Sequence, residues 1–448
     1  MIEYIWNEKI EIQNRDEQYL FINPETGSWL RVKRNTKKLL DDLVSGIERK
    51  DVMDNVKELT LNTFIQSGMI ISKNKEVSHS NKQRIKSIYL TITKTCNLSC
   101  DFCSMGSLPQ KFEQLSTAEL MKSIDKLQSV HFDRIVITGG EPFIREDILE
   151  IIDYIHENLP CKVVVSTNGL LITPNKIQML RGKVSRIDMS VENIFSSNKK
   201  NEHKKLESIT KHLRENEIDL SLSYVLTKEN WQNVYAFFDY VNQNDTGMSL
   251  KIVAPVGNAR KHHSLFISEI SFAEIYAKLF KYIYEKGYSG RAFQHFFFPK
   301  FIPSYSCSAK NKILSINIDG KVYSCHSLLY PEFCVGDICN ESIPSIIERS
   351  TDMANTPFYQ KSLDVDQRNI CRNCLVRYFC QGSCFAEMYQ NDNRRDTLPP
   401  ECEIKKAIIL FNLWHYNHRK TFLENLDEFI NFFEYSSEFS IGASRTQM

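Results

Sequence analysis

The amino-acid sequence predicts an α/β protein: a partial (β/α)6 barrel with a small N-terminal domain before it and a cysteine-rich C-terminal domain after it. Three observations carry this. Between residues 85 and 300, short apolar stretches alternate with amphipathic helical patterns, the order that parallel strands joined by helical crossovers require. At 448 residues the chain exceeds what one hydrophobic core serves, so two or three domains are expected. Seven of its 13 cysteines crowd into two short stretches, one after the first barrel strand and one near the C-terminus.

Residues 1–80 read as a separate unit. Stretches 18–22 and 29–32 have strand composition around the turn Asn23-Pro-Glu-Thr-Gly27, where Pro and Gly supply turn geometry. Helices are expected over 33–45 and 50–69, with Leu39, Leu40 and Leu43, then Val56, Leu59, Leu61 and Phe64, spaced for buried faces. Residues 72–84, rich in Ser, Asn, Lys and His, read as a linker.

In the 85–300 unit the strand candidates are 88–93, 134–138, 162–166, 186–190, 220–225 and 249–253. Ser116 with Glu119 makes a capping box, Thr173 and Pro174 suit an N-cap and first helical position, and Ser271 with Glu274 offers a further box. A closed eight-stranded barrel needs two more units, so an open one is expected. The third unit, 301–448, has weaker periodicity. Stretches 312–318 and 321–325 read as a hairpin around Asp319-Gly320, and helices are expected over 403–417 and 423–433.

Lys and Arg number 56 against 55 Asp and Glu, and a formal charge of +1 gives no electrostatic reason to expect nucleic acid or an anionic membrane. The run 199–205 reads as a solvated face. No apolar stretch approaches the roughly 20 residues of a membrane span, and residues 1–9 lack a signal-peptide pattern, so a cytoplasmic location is expected. Cysteine is then anomalous. Thiolates this dense in a reducing compartment ordinarily hold zinc or iron–sulfur clusters.

Cys96-Asn-Leu-Ser-Cys100-Asp-Phe-Cys103 follows the first strand, at the carboxyl end where parallel α/β folds place ligands. Three Cys with no near fourth ligand do not make the usual closed zinc tetrahedron. A four-iron cube held by three thiolates keeps one iron open.

This spacing resembles the signature of the radical S-adenosylmethionine (radical SAM) superfamily. The resemblance continues at Gly139-Gly140-Glu141-Pro142, the family segment along the cofactor's methionine end, and at Ser166-Thr167-Asn168-Gly169, a further cofactor-side segment. Ser190-Val191-Glu192 stands where the family often has Ser-x-Asp near the ribose; Glu192 departs from that. The family implies S-adenosyl-L-methionine on a [4Fe-4S] cluster held by Cys96, Cys100 and Cys103, reductive cleavage to a 5′-deoxyadenosyl radical, and hydrogen abstraction from substrate.

The distal intervals are also countable: Cys307, Gly320 and Cys325, then Cys371-x2-Cys374-x5-Cys380-x3-Cys384, then Cys402. They are similar to the SPASM extension, which follows radical SAM cores and holds up to two auxiliary [4Fe-4S] clusters. The resemblance implies Cys371, Cys374, Cys380 and Cys402 on the distal cluster and Cys307, Cys325 and Cys384 on the nearer one. The nearer cluster's fourth ligand is Cys334, Cys339 or none. Cys161 reads as an ordinary buried thiol.

SPASM proteins resemble peptide maturases or enzymes that convert a Cys or Ser of sulfatases to formylglycine. Residues 19–27, with their strands and following helices, resemble a degenerate precursor-peptide recognition domain related to the PqqD family, which would capture a leader peptide along a strand edge; the alternative is a plain N-terminal cap for the barrel. The resemblance therefore implies oxidative cross-linking within a precursor peptide, a thioether first among the products, with a reductant such as flavodoxin or ferredoxin as partner. Sulfatase maturation and oxidation of a small molecule are the alternatives. His326 stands where the sulfatase-modifying relatives place a carboxylate, so it is either a proton acceptor or a packed residue, and no catalytic side chain is assigned. The aromatics Phe293, Phe296, Phe297, Phe298, Phe301 and Tyr305 read as core at a domain junction. Pro255-Val-Gly257-Asn-Ala-Arg260 looks like a family active-site loop.

Overall fold

Six parallel strands form in chain order, each beside its predecessor, and a hairpin extends the sheet beyond the first of them. The computed structural model describes residues 4–73, 85–106, 114–192, 194–195, 200–382, 384–390, 399 and 401–435, so most of the expected linker lies outside the described residues.

The N-terminal elements are strands β1 (Tyr4–Trp6), β2 (Glu11–Arg15), β3 (Gln18–Asn23) and β4 (Ser28–Lys33), helices α1 (Arg34–Val44) and α2 (Asp54–Gln66), and strand β5 (Ile70–Ser72). β2, β3 and β4 form an antiparallel sheet, and β1 pairs with β5. One sheet face packs Phe21 against Leu40, Phe64 and Met69. The expected buried face of the second helix is only half realised. Phe64 is buried, but Val56 and Leu59 are exposed, because α2 turns its C-terminal half toward the sheet.

The barrel strands are β6 (Ser87–Thr93), β7 (Arg134–Gly139), β8 (Lys162–Thr167), β9 (Arg186–Ser190), β10 (Asp219–Leu226) and β11 (Gly247–Ile252). Between them run α3 (Thr117–Lys126), α4 (Ile148–Asn158), α5 (Pro174–Leu180), α6 (Lys200–Glu215) and α7 (Val234–Asn244), with α8 (Glu269–Glu285) and α9 (Arg291–Phe297) after them. Ser116 Oγ accepts from the Glu119 N–H, and Glu119 Oε2 accepts from the Ser116 N–H at 2.9 Å, which fixes where α3 begins. Thr173 caps α5 in the same way, by accepting from the Lys176 N–H. α8 instead begins at Glu269, so Ser271 lies within the helix rather than at its cap.

Alternate residues of each strand face the helices. Ile88, Leu90, Ile135, Ile137, Val163 and Val165 meet Ile124, Ile151, Ile152 and Ile155 in one core. Full burial of each such side chain contributes roughly 1.5–3 kcal/mol relative to exposure. The intervening positions, Tyr89, Ser166, Asp188 and Ser223 among them, line the opposite, concave face.

The third unit adds β12 (Ile313–Ile316), β13 (Lys321–Tyr323) and β14 (Cys334–Asp337). Its helices are α10 (Ile343–Ala354), α11 (Pro357–Leu363), α12 (Arg377–Cys380), α13 (Phe385–Gln390), α14 (Cys402–Trp414) and α15 (Phe422–Tyr435). β12 pairs parallel with β6, so the hairpin joins the barrel sheet instead of standing apart. Phe293 and Phe297 are buried, with Phe297 packed against Phe280 and Phe429.

The N-terminal sheet docks its other face on this third unit. Leu20 and Ile22 are fully buried among Val376, Phe379, Leu410, Leu413 and Trp414. Trp29 donates through Nε1 to Phe301 O at 3.2 Å, and Arg31 donates to Leu413 O at 2.9 Å, a cation at the C-terminus of α14. Arg377 bridges Glu11 and Asp366.

Candidate active site

β6 ends at Thr93, and the chain turns into the loop of Cys96, Cys100 and Cys103 at the carboxyl rim of the sheet. Main-chain groups hold that loop. The Gly140 N–H donates to Thr93 O and the Glu141 N–H to Thr95 O, both at 2.8 Å. A Cβ at Gly139 would stand 2.3 Å from Thr93 O and one at Gly140 2.2 Å from Thr95 O, so only glycine lets the two loops touch. Cys96 is exposed, and Cys100 and Cys103 are half-buried. Burial first, then the neighbouring charges of Cys103, Glu192 and Cys96, push the Cys100 thiol up to about 11. Ligation to iron would deprotonate the Cys100 thiol despite that shift.

Glu141 is fully buried and both its oxygens are engaged. Oε1 accepts from the Phe143 N–H at 3.0 Å and the Thr167 hydroxyl at 2.8 Å, and Oε2 from the Asn168 N–H at 2.8 Å. Pro142 is buried beside it. The Asn168 amide donates to Asn97 Oδ1 at 2.8 Å and lies 4.0 Å from Cys96 Sγ. The loops after the second and third barrel strands thus brace the cysteine loop. Ser166 is half-buried on β8, and Ser190 is exposed at the end of β9. Glu192 is buried, accepts from the Val225 N–H at 2.8 Å, and is pushed up to about 7 by burial. Asn258 donates to Cys100 O and Cys103 O of the cysteine loop, and Gln390 accepts from Gly257 beside it. Asn258 lies in the Pro255–Arg260 segment that the sequence marks as resembling a family active-site loop, whereas no sequence feature points to Gln390.

The remaining thiols fall into groups. Cys384 lies within electrostatic reach of Cys325 and Cys307. Burial, then neighbouring Cys380, Glu403, Cys374 and Cys371, pushes Cys402 up to about 12. Cys339 meets Ser123 Oγ of α3 at 3.9 Å, and Cys334 Sγ lies 3.4 Å from Gly336 O. Cys161 is half-buried, and its thiol is pushed up to about 11 by burial. Among the described residues no three His, Cys, Asp or Glu side chains are close enough to share one metal ion. A cubane makes a different demand, because each thiolate takes its own iron. His326 follows Cys325, and its ring stacks on Tyr89 at 4.2 Å on the concave face, where burial pushes it down to about 4. Arg260 is exposed on the loop after β11.

Residues 90–241 match the Radical SAM superfamily model, and residues 307–375 match SPASM, an iron–sulfur cluster-binding domain. The chain carries a radical SAM domain followed by a SPASM domain, and with them the sites of S-adenosyl-L-methionine, a [4Fe-4S] cluster and auxiliary iron–sulfur clusters. It is 22% identical over 329 residues to mycofactocin maturase MftC of Mycolicibacterium smegmatis, an alignment covering 69% of this chain and 81% of that protein. It is 23% identical over 333 residues to the antilisterial bacteriocin subtilosin biosynthesis protein AlbA of Bacillus subtilis, covering 68% and 69%. Other relatives align in part, the chain spanning 29% of the length of an AdoMet-dependent heme synthase of Methanosarcina barkeri. The fold is similar to that of Streptococcus suis SuiB bound to precursor peptide SuiA, with a TM-score of 0.55, 14% identity, and 88% of this chain and 98% of that one covered. No helix among the described residues is long and apolar enough to cross a membrane.

Proposed function

We propose that the protein is a radical SAM peptide-modifying enzyme that takes hydrogen from a precursor peptide and closes an oxidative cross-link within it, with a thioether the leading product. One observation carries the reading: the three-cysteine loop braced at the sheet rim by Gly139, Gly140 and Asn168. It stands in a chain that aligns over two thirds of its length with a maturase and a bacteriocin biosynthesis protein.

Cys96, Cys100 and Cys103 would hold the first cluster. Gly139, Gly140, Ser166, Asn168, Ser190 and Glu192 would line S-adenosyl-L-methionine, with Glu141 and Pro142 shaping that wall from behind. When bound, the pair supplies a 5′-deoxyadenosyl radical that removes a hydrogen atom from the substrate. The chain's own contribution is position and shelter. The concave face carrying Tyr89, Asp188 and Ser223 would seat the peptide. Cys307, Cys325 and Cys384 would hold the nearer auxiliary cluster, beside the Tyr89–His326 stack and so within reach of an electron leaving the substrate. Cys371, Cys374, Cys380 and Cys402 would hold the distal one.

The N-terminal unit is proposed as the leader-binding domain. Among the described residues β2 and β4 each pair on one side only, which leaves backbone edges for an added strand. Flavodoxin or ferredoxin would deliver electrons, in the cytoplasm. The test incubates anaerobically reconstituted, reduced protein with S-adenosyl-L-methionine and the short peptides encoded beside its gene. The expected product has lost about two hydrogens in mass, as one new bond between two formerly C–H or S–H centres requires, and its formation depends on Cys100. Absence of such loss from every neighbouring peptide overturns the reading, and modification of an adjacent sulfatase would replace it.

A further inference from the structure

The cysteine loop is gripped on its second side by residues outside both matched domains. After β11 the chain makes a tight 3-10 turn, Gly257–Lys261. The Asn258 N–H donates to Cys103 O at 2.9 Å, and its side-chain Nδ2 donates to Cys100 O at 3.1 Å. One residue therefore satisfies the carbonyls of two proposed iron ligands. The packing leaves no slack. A Cβ at Gly106 would lie 2.2 Å from Asn258 Oδ1, and one at Gly257, where φ is +61°, would lie 2.2 Å from Cys103 O.

The grip continues into the cysteine-rich unit. The buried Gly257 N–H donates to Gln390 Oε1 at 3.2 Å. Gln390 is 6% exposed and closes α13, the helix that begins directly after Cys384. A continuous path thus runs from Cys384 through α13, Gln390, Gly257 and Asn258 to Cys100 and Cys103. It consists of one helix, main-chain groups and two buried or half-buried amides, none with much rotational freedom.

We propose that Asn258 is a positioning residue for the first cluster, and that Gln390 ties its setting to the auxiliary-cluster domain. The proposal rests on reading Cys96, Cys100 and Cys103 as iron ligands. It assigns the Asn258 side chain a task that loop closure alone would leave to any small polar residue: donating to Cys100 O so that the loop keeps one shape with or without its metal.

The test uses the full chain, reconstituted anaerobically and reduced, and follows the electron paramagnetic resonance signal that responds to added S-adenosyl-L-methionine. Asn258→Ala removes the donor. Asn258→Asp keeps the shape without a donor. Gln390→Met keeps length and leaves the Gly257 N–H without its acceptor. In both Asn258 variants the responsive cluster is expected to lose iron to a chelator about tenfold faster, the change that loss of one hydrogen bond produces. Its line shape and midpoint potential shift, while signals that do not respond keep their wild-type form. Gln390→Met shifts the same signal in the same sense by less. Wild-type chelation rate and potential in both Asn258 variants would overturn the proposal; where neither folds, a wild-type signal in Gln390→Met would do so. A wild-type protein with no responsive signal would overturn the functional reading itself.

Discussion

The loop of Cys96, Cys100 and Cys103 and the stretch that carries Cys371, Cys374, Cys380 and Cys402 both gather thiols, by opposite means. The first places three in eight consecutive residues, on a loop fastened through Thr93 O and Thr95 O to Gly140 and Glu141, through the Asn97 side chain to Asn168, and through Cys100 O and Cys103 O to Asn258. The second draws on turns, the four-residue helix α12 and the start of α14. Its packing is shared with the N-terminal sheet, whose Leu20, Ile22 and Trp29 join Val376, Phe379, Leu410 and Leu413 in one cluster. A site braced by a sheet is shaped before its metal arrives. A site assembled from distant segments needs the metal's binding energy, or a neighbour's apolar face, to hold together.

The largest expected effect separates chemistry from fold at the first region. Cys100→Ala should reduce cleavage of S-adenosyl-L-methionine to background while leaving the far-ultraviolet dichroism of the barrel intact; loss of the barrel signal would mean that the thiol holds the scaffold as well. Iron removal should then divide the two regions. After chelation, limited proteolysis is expected to cut between residues 371 and 402 first and to spare the strands β6 to β11, and equal rates in both would erase the contrast. Within the second region, Leu20→Ala leaves a cavity between the N-terminal sheet and α14. It should destabilise that junction by about 2–4 kcal/mol in denaturant titration and raise the loss of distal iron, with little change at the first cluster.

The smallest effect is a pH dependence at the first region. Arg145 donates to Ile92 O at 2.9 Å and forms a paired bridge to Asp147, whose carboxyl that bridge lowers to about 2. A folded-state value below the unfolded one gives stability that is present above about pH 4 and lost as the pH falls through about 2. Asp147→Asn should therefore destabilise the barrel by about 2 kcal/mol at pH 7, and the difference from wild type should shrink through that window. A difference that persists below it would assign the effect to packing.

Local rules made much of this legible in advance. The caps Ser116 with Glu119 and Thr173 with Pro174 are contacts between near neighbours, and the barrel strands show themselves by apolar stretches of strand length. The exposed Val56 and Leu59 mark where such reading stops: their helical spacing is real, but which face of α2 meets the sheet depends on a partner far along the chain. The same holds for β12, a hairpin strand by composition whose pairing with β6 closes a separation of more than 200 residues. The contacts of Asn258 and Gln390 were illegible for this reason too, since donors and acceptors so far apart in the chain become partners only after folding.

By itself the sequence determined the strand–helix alternation, the helix starts that neighbouring residues cap, and the intervals at which thiols occur. These depend on side-chain type and spacing within a few turns of chain. Only the tertiary structure decided that the N-terminal sheet leans on the cysteine-rich unit, that the hairpin extends the barrel, and that amides from two distant segments hold the cysteine loop. Those outcomes come from apolar faces and backbone groups seeking whichever partner buries or satisfies them best, and that choice is made among all the surfaces of the folded chain at once.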